Sequence, residues 1–351
     1  MPYPSTSAAN AIALAGDFSF SFLPARDVGW VLCDVRDGRV LLDSPHDNTP
    51  GISFFTETVV CDPLHRRYLL LPPIPDNLVA MVEDADLIKH WRLYETFLLP
   101  PCSGNDDEED TSFIVIWMAM CKTKLVSFLF DSSTEQWRAG PSQHWSNLFP
   151  DMLLLWKGFA LFSCRQFANG CFYWLIYGTD KILILDTRKM QFSIADAPPG
   201  TGTIGDIAIV EEGEETSVMF VRANDTTFLK YTAKRNSGGG YSQWEKVKRF
   251  SLDPLHFFIG SIGRQPLLYK YDTLKSRDAG CFSLDIETFQ LERLCASRPR
   301  GSNNHIYSNF PLSLLPTPTV SSGNFLASML SPFYHCYDTT CLLLVVHSFD
   351  F

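Results

Sequence analysis

The chain has 351 residues, 46% of them apolar and 19% charged, which is enough for a large core in one big all-β domain or two average ones. Its formal net charge of −10 argues against a nucleic-acid surface, which needs a basic face, and no apolar run approaches the roughly 20 residues of a membrane span. The start, "MPYPSTSAANAIALAG", lacks the basic region of a secretory signal, and none of the ten cysteines forms a CxxC pair, so reduced thiols and a cytoplasmic or nuclear location are expected.

The content of 27 Phe, 12 Tyr and 8 Trp suits strands, and proline and glycine spread along the chain imply frequent turns. Residues 1–28 carry no strong element and are expected to be poorly ordered. The first unit then reads "GWVLCDV", "RVLLDS", "TETVVCD" and "RYLLLPP". Next comes the one good helical pattern, "PDNLVAMVEDADLIKHWRLYETF", with Asp76 as N-cap and Leu78, Met81, Val82, Ala85 and Ile88 on one stripe. It predicts a helical excursion near residues 76–97. The acidic run "NDDEED" (Asn105 to Asp110) reads as a solvated loop tip, as does "EEGEE" (Glu211 to Glu215).

The second unit reads "FIVIWMAM", "KLVSFLFD" and "QWRAG"; the third, "FALFSC", "GCFYWLIY", "KILILD" and "QFSIAD". "GTGTIG" (Gly200 to Gly205) matches G-x-G-x-x-G, but the strand-like "DIAIVEE" follows it. With no helix N-terminus to hold a pyrophosphate, it reads as an inter-unit turn. The fourth unit reads "DIAIVE", "SVMFVRA", "TFLKYTA" and "WEKVKRF"; the fifth, "HFFIGSI", "PLLYKYD", "GCFSLDI" and "QLERLC". Runs such as "FIVIWM" and "KILIL" are apolar on both faces, as strands sandwiched between neighbouring sheets must be. Residues 301–351 form a C-terminal tail that fits no unit.

One frame recurs across the units. Asp62, Asp131, Asp186 and Asp285 each close an apolar run, and Tyr68, Trp137, Phe192 and Leu291 stand six residues later. The successive steps are 69, 55 and 99 residues, and the last spans two units, the hidden one turning through a Gly-rich segment before Trp244. The Asp carboxylate is expected to accept a hydrogen bond from the backbone two residues on, fixing a turn. The large side chain then opens the next antiparallel strand and packs across the hairpin. Units of this length built from short strands predict an all-β propeller of five to six four-stranded blades over residues 29–300, the sixth arising only if the termini build one.

Several stretches resemble the plant F-box-associated β-propeller proteins, a family akin to kelch propellers. The carriers are "GRVLLDSP", "VVCDPLHRRYLLLPPIP", "LVSFLFDSSTEQW" and "NGCFYWLIYGTDKILILDTRKMQFSIADAPPG". In that family an Asn/Asp-Pro turn is followed by basic or hydroxyl residues, an aromatic and then "LP"; Asp62, Pro63, Tyr68, Leu71 and Pro72 match that order. The resemblance implies a substrate-recruiting propeller of an SCF ubiquitin ligase, with a protein client as partner. The F-box itself, which docks a Skp-type adaptor, has no counterpart in residues 1–30, so direct adaptor binding is not expected.

Enzymatic constellations are sparse. No GxSxG, HExxH or Walker loop occurs. "HCYDTTCLLLVVH" gathers His335, Cys336, Cys341 and His347, but the spacing matches no standard zinc finger. Asn224 stands in an N-x-T acceptor, a chance match in a chain expected not to be secreted. The alternative function is a kelch-type propeller enzyme, a metal-dependent oxidase or lyase, which needs ligands converging near the axis. The eight histidines occupy no repeated blade position, so no catalytic, metal or cofactor residue is assigned.

Overall fold

The structure is a computed structural model. It describes residues 16–25, 29–44, 57–91, 93–99, 112–149, 162, 165–176, 179–199, 201, 206–213, 215–234, 243–262, 264–271, 279–295, 305–307 and 342–344.

Five antiparallel sheets form a five-bladed β-propeller, each an up-and-down meander. Blade 1 comprises β1 (Val31–Arg36), β2 (Arg39–Ser44), β3 (Glu57–Asp62) and β4 (Arg67–Leu70). Two short helices follow, α1 (Asp76–Val79) and α2 (Ala85–Trp91). Blade 2 comprises β5 (Tyr94–Leu99), β6 (Ile114–Met120), β7 (Lys124–Asp131) and β8 (Gln136–Ala139). Beyond Gly140 and Pro141 the outer strand resumes as β9 (Gln143–His144), still paired with β7, and leads into α3 (Trp145–Leu148). Blade 3 comprises β10 (Gln166–Ala168), β11 (Cys171–Ile176), β12 (Lys181–Asp186) and β13 (Gln191–Asp196). Blade 4 comprises β14 (Ile207–Glu211), β15 (Thr216–Arg222), β16 (Thr227–Lys234) and β17 (Glu245–Ser251). Blade 5 comprises β18 (His256–Ile262), β19 (Gln265–Lys270), β20 (Gly280–Leu284) and β21 (Leu291–Cys295).

The core lies between blades, which is why the central strands are apolar on both faces. β11 is buried at every position, and β7 everywhere but its two ends. Phe97 of blade 2 meets Phe172 of blade 3 edge-on at 4.8 Å. Leu41 and Val60 of blade 1 pack with Val115 and Phe130 of blade 2. Tyr173 of blade 3 joins Ile209 and Met219 of blade 4, and Phe220 of blade 4 joins Leu268 of blade 5. The outer face of blade 1 is covered by Phe18, Phe20, Phe22 and Trp30, with Leu23 buried beside them.

The helical excursion expected near 76–97 is present as α1 and α2 and ends before β5, the innermost strand of blade 2. Asp84 adopts a left-handed φ of +50° between the two helices, and β5 buries Phe97 and Leu99 toward blade 3 and Leu98 toward blade 1. The N-cap is Pro75, with no side-chain capping bond; Asp76 is the first helical residue. In blade 3 the innermost strand is Gln166–Ala168, not "FALFSC". Asn169 and Gly170 both take positive φ, so the chain reverses in two residues and Ala168 pairs with Cys171. Within "FALFSC" the one described residue, Phe162, makes an isolated bridge to Ile176. No sixth antiparallel blade is found among the described residues. Instead β22 (His305–Tyr307) and β23 (Leu342–Leu344) pair in parallel, with β22 beside β1.

A four-stranded meander sorts its connections. Turns joining its first two and last two strands lie at one end; the middle connection and the links between blades lie at the other. The first end is called here the hairpin face and the second the linker face.

Candidate functional site

The four motif aspartates all lie on the hairpin face, at the turn between the third and fourth strands of blades 1, 2, 3 and 5. Asp62 Oδ1 accepts from the backbone N–H of Leu64 (3.0 Å) and His65 (3.1 Å). Asp131 Oδ1 accepts from Ser133 N (2.9 Å), Asp186 Oδ1 from Arg188 N (3.0 Å), and Asp285 Oδ1 from Glu287 N (3.0 Å). Four residues after each Asp, the chain turns through a left-handed residue: Arg66, Glu135, Met190 and Phe289. The large residue then pairs with the one preceding the Asp: Tyr68 with Cys61, Trp137 with Phe130, Phe192 with Leu185, and Leu291 with Leu284. Trp137 is half-buried and its Nε1–H donates to the Pro72 carbonyl at 2.7 Å, tying blade 2 to the "LPP" end of blade 1. These residues are brought into equivalent places in separate blades and do not converge on one site.

What converges at the axis is a set of charges from the innermost strands of blades 1, 2 and 3. Arg165, just before β10, reaches Asp34 Oδ1 on β1 through Nη2 (3.1 Å) and Glu95 Oε2 on β5 through Nη1 (2.8 Å). Its guanidinium carbon lies 4.5 Å from the centre of the Phe97 ring, a stacking that the planar group permits. Trp174 Nε1–H also donates to Glu95 Oε2 (3.2 Å), and Asp34 Oδ2 accepts from Leu98 N (2.9 Å). Burial works against the charged guanidinium, but Asp34 and Glu95 outweigh it and hold its pKa above the ordinary arginine value. Beside this tie, Thr58 and Thr96 donate their hydroxyls to the two oxygens of Asp43 (2.7 and 3.2 Å).

Arg36, at the hairpin-face end of β1, is different. It crosses to blade 3, its guanidinium carbon 4.6 Å from the Phe167 ring centre and 5.4 Å from that of Phe172. Its Nε is buried and meets no hydrogen-bond acceptor among the described residues. Burial lowers its pKa; Asp34 and Asp37 counter that, while Arg165 adds to it. Across the two-residue Asp37–Gly38 turn it pairs directly with a second arginine, Arg39, whose guanidinium lies 5.2 Å from the Phe113 ring.

A second polar group lies at the linker-face end of the blade 4–blade 5 junction. Asp206 Oδ1 accepts from Phe258 N (2.8 Å), while Oδ2 stands 3.7 Å from Arg222 Nη1. Arg222 Nη2 donates to the Pro254 carbonyl (2.8 Å), and its guanidinium lies over Phe257 at 4.1 Å. Desolvation lifts the Asp206 pKa to about 6, against the bond from Phe258 and the charge of Arg222. His256, buried beside this junction, has its pKa lowered by desolvation.

The sequence reading missed both groups. Their signal was a charge set inside an innermost strand, as in "VLCDVR" and "YETFLL". Of the segments weighed for chemistry, "GTGTIG" contributes only Thr201 to the described residues, its hydroxyl bonded to the Pro198 carbonyl, and strand β14 follows. His335, Cys336, Cys341 and His347 lie outside the described residues. Asn224 accepts from the backbone N–H of Thr226 and Thr227, which shapes the turn between β15 and β16.

The chain is therefore a β-propeller protein with a charged axis. No family model matches its sequence, and no curated protein matches it. Solved structures similar to it include a puromycin hydrolase mutant complexed with PGG, at 9% identity and a TM-score of 0.40 over 84% of this chain. This chain spans 42% of that hydrolase chain. Another is SapL1 lectin in complex with alpha methyl fucoside, at 8% identity and TM-score 0.40, covering 76% of this chain and 79% of the lectin. A third is a putative 6-phosphogluconolactonase from Bacteroides fragilis, at 11% identity and TM-score 0.37, covering 77% and 72%. At these identities and scores, the likenesses carry no functional inference.

Proposed function

We propose that this propeller is a protein-interaction module that captures a protein client, in the way the resemblance to F-box-associated propellers implies. The observation that carries the reading is the contrast between its two faces. On the hairpin face, four turns are locked by an Asp carboxylate within a few residues. The linker face carries the blade-to-blade connections, including α1, α2 and α3. A rigid scaffold that holds longer connections at one end is the arrangement on which recognition is normally built. Residues 16–25 form turns packed on blade 1.

Affinity capture and proximity labelling with the full chain in its source tissue test the reading. A saturable protein partner is expected, and its absence by both methods overturns the module. A binary pull-down with purified Skp-type adaptor, with an F-box-bearing protein as positive control, is expected to show no binding by this chain. Micromolar or tighter binding would instead make it a ligase subunit in its own right.

A further inference from the structure

We propose that the hairpin-face mouth of the axis, around Arg36, is an anion site that takes a carboxylate from an acidic segment of the protein client. The proposal rests on the interaction-module reading and names the chemistry of one contact within it.

Three observations meet at Arg36. Its guanidinium carbon lies within cation–π range of the Phe167 and Phe172 rings of blade 3, so rings rather than a counter-ion surround it. Its Nε is buried without an acceptor, and no carboxylate lies within ion-pair distance of it among the described residues. The neighbouring Arg165 shows what this fold does when an arginine is structural, since two carboxylates from two other blades saturate it. The third observation is the direct cross-strand pairing of Arg36 with Arg39. Their guanidinium groups part, Arg39 toward Phe113 of blade 2 and Arg36 toward Phe167 of blade 3, so Arg36 is the one of the pair that reaches across the axis.

The chemistry that matches is a planar pair of acceptor oxygens. A guanidinium presents its N–H donors as a rigid fork that meets a carboxylate at two points, and a preset fork loses little freedom on binding. Asp34 and Asp37 are the acids that act on Arg36 through the field, and Asp34 is itself neutralised by Arg165. The Asp37–Gly38 turn beside it occupies two residues only, so the mouth is bordered there by the shortest hairpin the backbone allows.

Fluorescence anisotropy with a labelled hexaglutamate peptide and the full chain provides the test, with inorganic phosphate as competitor. Wild type is expected to bind saturably, more weakly as salt rises. R36Q should weaken binding about tenfold or more, and R36K should fall between, because an ammonium lacks the fork. K181Q, altered in an exposed ion pair at the edge of blade 3, should bind as wild type. R36Q should melt at or above the wild-type temperature, since it removes a half-buried charge without a partner; a clear drop would mark Arg36 as structural and overturn the site. Equal hexaglutamate binding by R36Q and wild type also overturns it. So does phosphate binding that is lost in R36Q while hexaglutamate fails to bind. Client capture is scored separately on the same variant. Capture that persists while R36Q binds hexaglutamate normally removes this site and leaves the interaction module standing.

Discussion

At the scale of single residues, the recurring Asp turn divides its labour unequally. Asp131 accepts from the Ser133 N–H and hydroxyl in a solvent-facing turn, where exposed bonds add little beyond the one that shapes the backbone, so D131A should cost about 1 kcal/mol. Trp137 loses more on truncation: a half-buried indole, its bond to Pro72 and its contact with Phe130 at 5.5 Å. W137A should cost about 2–3 kcal/mol in urea melts, below the range for a fully buried tryptophan. Equal losses would mean that the turn, not the packing, anchors the hairpin. Glu135 holds a left-handed φ of +54°, a conformation that costs a side-chain-bearing residue roughly 1–2 kcal/mol. E135G should therefore be neutral or stabilising, whereas most surface changes to glycine are not.

Asp206 gives a residue-scale prediction with a definite sign. Its folded pKa of about 6 stands above the unfolded value of 3.8, so the native state binds more protons between those limits. Stability from this group is therefore present at low pH and is lost as pH rises through about 6. Comparing wild type with D206N from pH 4.5 to 7.5, the difference should move against wild type by about 2 kcal/mol, since each tenfold change in proton affinity corresponds to about 1.4 kcal/mol. A pH-independent difference would show that the carboxyl titrates normally. His256 works in the opposite direction: its lowered pKa makes protonation below the usual histidine range destabilising. D206N keeps that contribution, so subtracting the two curves isolates Asp206.

At the scale of elements, the sequence was legible wherever a strand is apolar on both faces and ends in an Asp turn. Residues 124–130 and 181–185 lie within β7 and β12, and every strand of blades 4 and 5 falls on the segment that reads as one. The innermost strands of blades 2 and 3 were obscured for different physical reasons. β5 follows directly on a helical stripe, and nothing in "WRLYETFLL" breaks the apolar run where the period changes. β10 has three residues, too few to show alternation, and its position is dictated by the Asn169–Gly170 turn rather than by its own composition. Asp-Gly at 37–38 and Asn-Gly at 169–170 are hairpin signals that would have placed both turns. The axial charges were illegible because what joins Asp34, Glu95 and Arg165 is the closing of the ring, not spacing along the chain. Gly140, which interrupts the outer strand of blade 2, is a further element-scale constraint. A Cβ there would lie 2.3 Å from Leu129 Cδ1 and 3.1 Å from the Ser127 carbonyl. G140A should cost about 1–3 kcal/mol through overpacking, read as a lowered melting temperature with β7 and β8 losing amide protection first.

At the scale of the whole molecule, three of the five blades are pinned at the axis by one side chain. Removing Arg165 leaves two largely buried carboxylates facing each other, so R165A should cost about 3–5 kcal/mol at neutral pH. Urea melts of R165A against wild type at neutral pH check this cost, and R165K, which keeps the charge but not the planar fork, should recover only part of it.

The Asn169–Gly170 turn also bears on how this protein ages. Asn-Gly is the pair in which the following amide nitrogen most readily attacks the side-chain carbonyl, closing a succinimide that reopens largely to isoaspartate. Such a product carries an extra backbone methylene and would shift Ala168 out of register with Cys171, on the strand that holds Phe167 under Arg36. Here the side chain is tethered: Asn169 Nδ2 donates to Ser217 Oγ (3.1 Å), and its backbone N–H is held by Glu211 (2.6 Å). Blade 4 thereby shields blade 3 from a chemical clock that runs freely in flexible chains. S217A should accumulate isoaspartate at residue 169 faster than wild type in peptide maps of stored protein, and that damage would appear before any loss of fold.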